Sequence, residues 1–163
     1  MKSIGLISDT HSFIHPSIFK HFDDVDEIWH AGDMGNIALA DELSKFKPFK
    51  AVYGNIDGQE IRKVYPEIDL FNCEKTKVLM MHIGGYPNKY ELKAKNLIEL
   101  NKPKLFISGH SHILKVIYDK KYDLLHINPG AAGKYGFHKV ITLLKFKISL
   151  DKISDMKIIE LEK

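Results

Sequence analysis

Two imidazoles, His110 and His112, follow the apolar run Leu105–Ser108 across Gly109. A buried strand that ends at a glycine delivers its next side chains to the rim of a sheet. In extended chain, positions i and i+2 point the same way, so both rings can reach one site. Neutral imidazole is the commonest protein ligand for Zn, Mn, Fe or Ni. The pair alone does not single out a metal, because surface loops carry solvated H-x-H as well. What matters is whether other apolar runs end in matching donors. Four do: Ser8-Asp9-Thr10-His11, Ala31-Gly32-Asp33, Gly54-Asn55 and His82 before Gly84-Gly85.

Ligands of α/β sheets bind outside the carboxyl ends of the strands. If these strands are parallel neighbours, Asp9, His11, Asp33, Asn55, His82, His110 and His112 converge on one mouth. That set is too large for a single ion, which takes about four to six ligands. Two ions fit if one carboxylate is shared. Asp33 is the natural bridge, since Gly32 permits close approach and its strand lies between the others. One site would hold Asp9, His11, Asp33 and His112, the other Asp33, Asn55, His82 and His110. Mixed nitrogen and oxygen donors without thiolate suit Mn, Fe, Zn, Ni or Co better than Mg or Ca.

The elements that must position these residues read as strand, helix, strand, helix, then mostly strand. Lys2–Ser8, Glu27–His30, Phe49–Tyr53, Glu67–Phe71, Lys77–Met81 and Leu105–Ser108 read as strands. Pro16–Phe22, Asn36–Phe46, Ile56–Lys63 and Asn88–Leu100 read as helices. The second helix shows Ile37, Ala40, Leu43 and Phe46 on its apolar face, the fourth Leu92, Leu97 and Leu100. Four strand-like runs close the chain: Lys115–Asp119, Leu124–Ile127, Lys139–Ile148 and Met156–Leu161. A βα-rich part followed by a β-rich part predicts two sheets packed face to face with helices outside, in one domain over 1–163.

Composition sets the wider bounds. The chain has 163 residues, 44% hydrophobic, with net charge +3. Cys73 is the lone cysteine, which excludes an internal disulfide framework and fits a reducing compartment. The start is unlike a signal peptide, and no apolar run approaches the ~20 residues that span a bilayer. A cytoplasmic protein without membrane association is expected. Arg62 is the only arginine, and the lysines are scattered, so specific nucleic-acid binding is not expected. A strand of the β-rich half is a candidate homo-oligomer contact.

Asp-x-His, Gly-Asp, Gly-Asn, His-x-Gly and Gly-His-x-His, in this order from Asp9 to about Gly130, resemble the calcineurin-like metallophosphoesterase superfamily, in particular its small YfcE-type phosphodiesterase branch. The resemblance implies a four-layer αββα sandwich with two mixed β-sheets. It also implies a dimetal centre held by the seven residues above, with Asp33 bridging and Asn55, His110 and Asp33 acting in catalysis. The implied activity is hydrolysis of a small phosphodiester by a metal-bridging hydroxide, with Mn as the first choice of ion. Asn128-Pro129-Gly130 matches the family's N-P-G turn. Two departures stand out. Many members carry a histidine general acid after the Gly-Asn pair, where this chain has Ile56, which cannot donate a proton. The commoner His-Gly is His82-Ile83-Gly84-Gly85 here.

Several polar residues keep plainer readings. Asp57 is either an acceptor for a ligand histidine or a helix N-cap. His30 reads as packed or hydrogen-bonded, His15 and His21 as solvated, His126 and His138 as structural or exposed, and Trp29 as core. Tyr86 and Tyr135 are candidates for the pocket border. A Ser-His-Asp hydrolase built on Ser8 would leave most of the aligned histidines unused. A non-catalytic metal-binding or protein-interaction scaffold of the same fold is the alternative function. The full ligand set weighs against it.

Overall fold

The computed structural model covers Met1–Lys163. Its strands are β1 (Lys2–Ile7), β2 (Glu27–His30), β3 (Phe49–Ala51), β4 (Ile68–Cys73), β5 (Thr76–Met81), β6 (Gly85–Tyr86), β7 (Lys89–Tyr90), β8 (Leu105–Ile107), β9 (Leu114–Asp119), β10 (Leu124–Pro129), β11 (Val140–Ser149) and β12 (Lys152–Glu162). Its helices are α1 (Ile18–His21), α2 (Ile37–Phe46), α3 (Gln59–Arg62) and α4 (Leu92–Asn101). Two five-stranded sheets form, ordered β12-β11-β1-β2-β3 and β4-β5-β8-β10-β9, with a short β6-β7 ribbon. Strands β1, β2 and β3 are mutually parallel in the first sheet, as are β5, β8 and β10 in the second. Antiparallel strands flank both groups.

Strand parity builds the layers. Alternate side chains face opposite sides of a sheet. Ile4 and Leu6 of β1, Trp29 of β2, Val78 and Met80 of β5, and Leu105 and Ile107 of β8 meet in the core between the sheets. Trp29 anchors it, fully buried, edge-on to Phe71 and Phe146 at 5.0 and 5.9 Å between ring centroids. The alternate residues face outward. Ile7 and Ile28 join Leu39, Ala40 and Leu43 of α2, while Leu79, Met81 and Phe106 join Ala94 and Ile98 of α4. The result is a helix–sheet–sheet–helix sandwich. Doubly buried strands explain why these runs read as continuously apolar rather than alternating.

Two readings of the sequence need correction. The ligand-bearing strands do not lie side by side in one sheet: β1, β2 and β3 belong to the first, β5 and β8 to the second. The mouth lies across the edge of the sandwich, where the carboxyl ends of both parallel groups meet. Helix α4 also meets the sheet differently: Ala94 and Ile98 are buried with Leu97 packed beside them, while Leu92 and Leu100 are exposed. Residues 89–90 are spent on the β6-β7 ribbon, and small Ala94 lets the helix approach closely. For α2 the reading holds, with Asn36 capping it by accepting from the Leu39 N–H at 2.9 Å.

Candidate metal centre

All seven predicted ligands come together at the sandwich edge. Nitrogen and carboxylate atoms of Asp9, His11 and His112 form one group within 4.8 Å of one another, and those of Asp33, His82 and His110 form a second. The two groups interlock. Asp33 Oδ2 lies 3.6 Å from His11 Nε2 and 3.1 Å from His82 Nε2. Asp9 Oδ1 lies 3.2 Å from His112 Nε2 and 3.8 Å from His82 Nε2. The exposed Asn55 joins through its Oδ1, 3.1 Å from His110 Nδ1. Asp33 thus stands between the groups, where the sequence places the bridge.

Each carboxylate has one oxygen engaged and one turned inward. Asp9 Oδ2 accepts from the Ser8 hydroxyl at 2.5 Å and the His110 N–H at 3.1 Å, while its Oδ1 is buried without a hydrogen-bond partner. Asp33 Oδ1 accepts from the Ile56 N–H at 3.1 Å. His82 Nδ1 lies 2.8 Å from the Ala31 carbonyl, which only accepts, so Nδ1 carries the hydrogen. The Nε2 lone pair is then aimed at the two carboxylates. His11 Nε2 and His82 Nε2 are likewise buried without hydrogen-bond partners. Lone pairs crowded face to face are costly unless a cation lies among them. This donor set therefore fits divalent ions. Without a cation the crowding draws protons instead. Burial pulls the His82 pKa down, but the Asp33 and Asp9 carboxylates outweigh it and hold it above the ordinary value. Burial pushes the Asp33 carboxyl up, yet His82 and the Ile56 N–H outweigh it and hold the pKa low.

The backbone is bent to make this possible. Asp9, His11, Asp33, His110 and His112 all have positive φ, between 45° and 73°. Left-handed backbone costs a non-glycine residue about 1–2 kcal/mol, and such strain concentrates at functional sites. Gly32 supplies rotation, with φ +104°, whereas Gly54 and Gly109 supply room. A Cβ on Gly54 would lie 2.0 Å from Asp33 Oδ1, and one on Gly109 would lie 2.2 Å from Ser8 Oγ. Gly-Asn and Gly-His are therefore packing requirements of the carboxylates opposite them.

Supporting residues were only partly legible. Asp57, 2% exposed, is neither a histidine acceptor nor an N-cap, since Gly58 caps α3. Its carboxylate accepts the N–H groups of Met34, Gly35 and Gly54 at 3.2, 2.8 and 2.8 Å. It ties the loop carrying Asp33 to the loop carrying Asn55. Arg62 braces the same loop, donating from Nε to the Asp57 carbonyl at 2.6 Å and stacking on Tyr53 at 4.5 Å. Asn128 donates to the Gly109 carbonyl at 2.9 Å and to Ser111 Oγ at 3.1 Å, fixing the histidine turn.

His30 is fully buried and hydrogen-bonded, as read. Its Nδ1 accepts from the Gly32 N–H, leaving Nε2 to donate to Thr10 Oγ1 at 2.9 Å. Burial lowers its pKa to about 4. His126 is also fully buried, with both ring nitrogens unpartnered and its pKa lowered by burial to about 4. Tyr135 borders the centre, its ring 4.9 Å from that of His11. Tyr86 does not, packing instead 6.0 Å from His126 on the outer face of the second sheet. His138 was missed as a neighbour of the centre. It lies 5.3 Å from His112 between ring centroids and hydrogen-bonds the Gly133 carbonyl at 2.7 Å.

Comparison with known proteins agrees with this geometry. A family model described as the calcineurin-like phosphoesterase superfamily domain matches residues 1–151. A probable metallophosphoesterase of Methanothermobacter thermautotrophicus is 34% identical over 134 residues, covering 78% of this chain and 76% of that protein. Among solved structures, a single mutant of Entamoeba histolytica Vps29 superposes with TM-score 0.77 at 16% identity, covering 99% of both chains. An uncharacterised predicted phosphoesterase of Streptococcus pneumoniae superposes with TM-score 0.70 at 20% identity, covering 99% of this chain and 89% of that one. At these identities the structural likenesses speak for fold alone.

Proposed function

This chain belongs to the calcineurin-like phosphoesterase superfamily, and we propose that it is a dimetal-dependent phosphodiesterase acting on small diesters. In this reading residues 1–163 work as one domain. Asp9, His11, Asp33 and His112 hold one ion, and Asp33, Asn55, His82 and His110 the other. The observation that carries the reading is the pair of interlocked donor groups with Asp33 Oδ2 between His11 and His82.

Two divalent cations, manganese the first choice, supply Lewis acidity and a water made acidic enough to act near neutral pH. The protein's own groups do the rest. Asp33 and Asp9 fix the charge at the centre, each steadied by hydrogen bonds to its other oxygen. The Asn55 amide, at the exposed lip, holds a phosphoryl oxygen, and His110 beside it hydrogen-bonds another. Water adds to phosphorus, one P–O ester bond breaks, and the products are a monoester and an alcohol or phenol. Ile56 occupies the position from which a leaving-group proton would come, so good leaving groups are favoured.

Hydrolysis of bis-p-nitrophenyl phosphate with added manganese tests this directly. The expected result is turnover that Asp33→Asn abolishes. A folded, manganese-loaded protein inert on diesters and monoesters alike would leave the scaffold reading in its place.

A further inference from the structure

Six large apolar side chains surround the centre without serving the fold. Ile56, Ile83, Leu92, Ile113, Tyr135 and Phe137 are exposed, from 41% for Ile83 to 105% for Phe137. None of them packs into any of the three cores. Three directly follow a candidate ligand, in Asn55-Ile56, His82-Ile83 and His112-Ile113. Single exposed apolar residues need no explanation, but a cluster around a polar site does.

Four of the six define two sides. Ile83 and Leu92, with Tyr53 and Met81, line a cleft of about 410 Å³ whose wall also includes the exposed Asn55 and the buried His82, two members of the second donor set. The cleft also carries charged groups, Arg62, Glu67, Glu91 and Lys93. Its basic ones are already partnered: Lys93 pairs at 3.0 Å with Glu67 of the same cleft, and Arg62 is bound to loop carbonyls. On the other side Tyr135 lies over His11, beside the first ligand group. A Cβ on Gly136 would lie 2.2 Å from His112 Nδ1, so the turn carrying Tyr135 and Phe137 is pressed against that ring. One phosphoryl site thus has an apolar surface on either hand.

A phosphodiester has the same outline, with one anionic centre between two ester arms. We propose that the substrates are diesters with two apolar, aryl or alkyl, arms: one lies in the Ile83–Leu92 cleft and the other against Tyr135 and Phe137. This rests on the phosphodiesterase reading and narrows it to a substrate class. A protein partner covering the same surface is the rival occupant. The small diester is favoured because the cleft opens directly onto Asn55 and His82, within reach of a phosphoryl group.

The test keeps the leaving group constant and varies the other arm. Bis-p-nitrophenyl phosphate and methyl p-nitrophenyl phosphate both release p-nitrophenol, so their ratio of kcat/KM, divided by the ratio of their rates with hydroxide alone, reports what the protein gains from the non-leaving arm. With manganese-loaded protein the aryl arm is expected to gain about tenfold or more, the scale of burying several apolar carbons. The Leu92→Ser and Phe137→Ser variants, both at exposed positions, should move that ratio towards one when combined. Calorimetric binding of dibutyl phosphate against dimethyl phosphate gives the same comparison without turnover. A corrected ratio near one with equal binding of large and small arms, or a ratio indifferent to both variants, overturns the proposal. Failure to hydrolyse any ester would instead overturn the phosphodiesterase reading, and the dibutyl phosphate measurement would still decide this one.

Discussion

Replacing Asp57 by asparagine should unfold the protein several degrees earlier, although the residue touches no candidate ligand side chain. Its two carboxylate oxygens accept three backbone N–H groups. Oδ2 takes those of Met34 and Gly54, and Oδ1 takes that of Gly35. An asparagine has one acceptor oxygen, and its NH2 would face at least one of these donors. A hydrogen bond to a charged group contributes about 1.5–3 kcal/mol, and an N–H left buried and unpaired costs about 1–3 kcal/mol. With some relaxation the loss is about 2–4 kcal/mol. For a chain of this size 1 kcal/mol shifts Tm by about 2–4 °C, so a fall of roughly 5–15 °C is expected. Asp57→Ala removes all three acceptor contacts and should cost more. Thermal and urea unfolding followed by circular dichroism, both without added metal, separate this effect from loss of ions. An Asp57→Asn protein within about 0.5 kcal/mol of the parent, a change typical of neutral surface sites, would refute the clamp.

Three further outcomes follow from the site and the cores. Gly54→Ala places a methyl group on Asp33 Oδ1, so the folded variant should retain clearly less than the parent's manganese in elemental analysis after desalting. His30 and His126 are neutral in the fold down to about pH 4, against an ordinary value of 6.5. The unfolded chain therefore binds their protons first, and stability, unaffected by them above pH 6.5, falls as pH drops from 6.5 to 4, by about 3 kcal/mol for each. His126→Phe should flatten part of that slope in urea midpoints measured across this range, with little cost at pH 7 because the ring nitrogens have no partners to lose. Ile56→His, which supplies the missing proton donor, should raise hydrolysis of dialkyl over bis-p-nitrophenyl esters, approaching the ~100-fold lower end of general-acid effects. An unaltered ratio would mean that position 56 does not face the leaving group.

The candidate ligands were more legible in the sequence than the frame that gathers them. Asp9, Asp33, Asn55, His82 and the two histidines after Gly109 could each be recognised because a strand end leaves a local mark, an apolar run ending in a donor, with a glycine close by in every motif but that of Asp9. Which sheet a strand joins leaves no such mark. Pairing of β1 with β11, more than a hundred residues later, depends on contacts between Lys2–Leu6 and Leu144–Ile148 that no local window records. Helix α4 was misjudged because Leu92 and Leu100 match a helical period, whereas the sheet is met by Ala94 and Ile98. Asp57 was visible as a carboxylate beside Asn55, but its three N–H donors come mostly from a turn more than twenty residues away. The same exposure of Leu92 that defeated the helix reading places it in the cleft.

Crystals grown with manganese and measured at its absorption edge test the central claim most directly. The anomalous map should show two peaks about 3.5–4 Å apart, one among Asp9, His11 and His112, the other among Asn55, His82 and His110, with Asp33 touching both. A single peak, or peaks remote from Asp33, would contradict it.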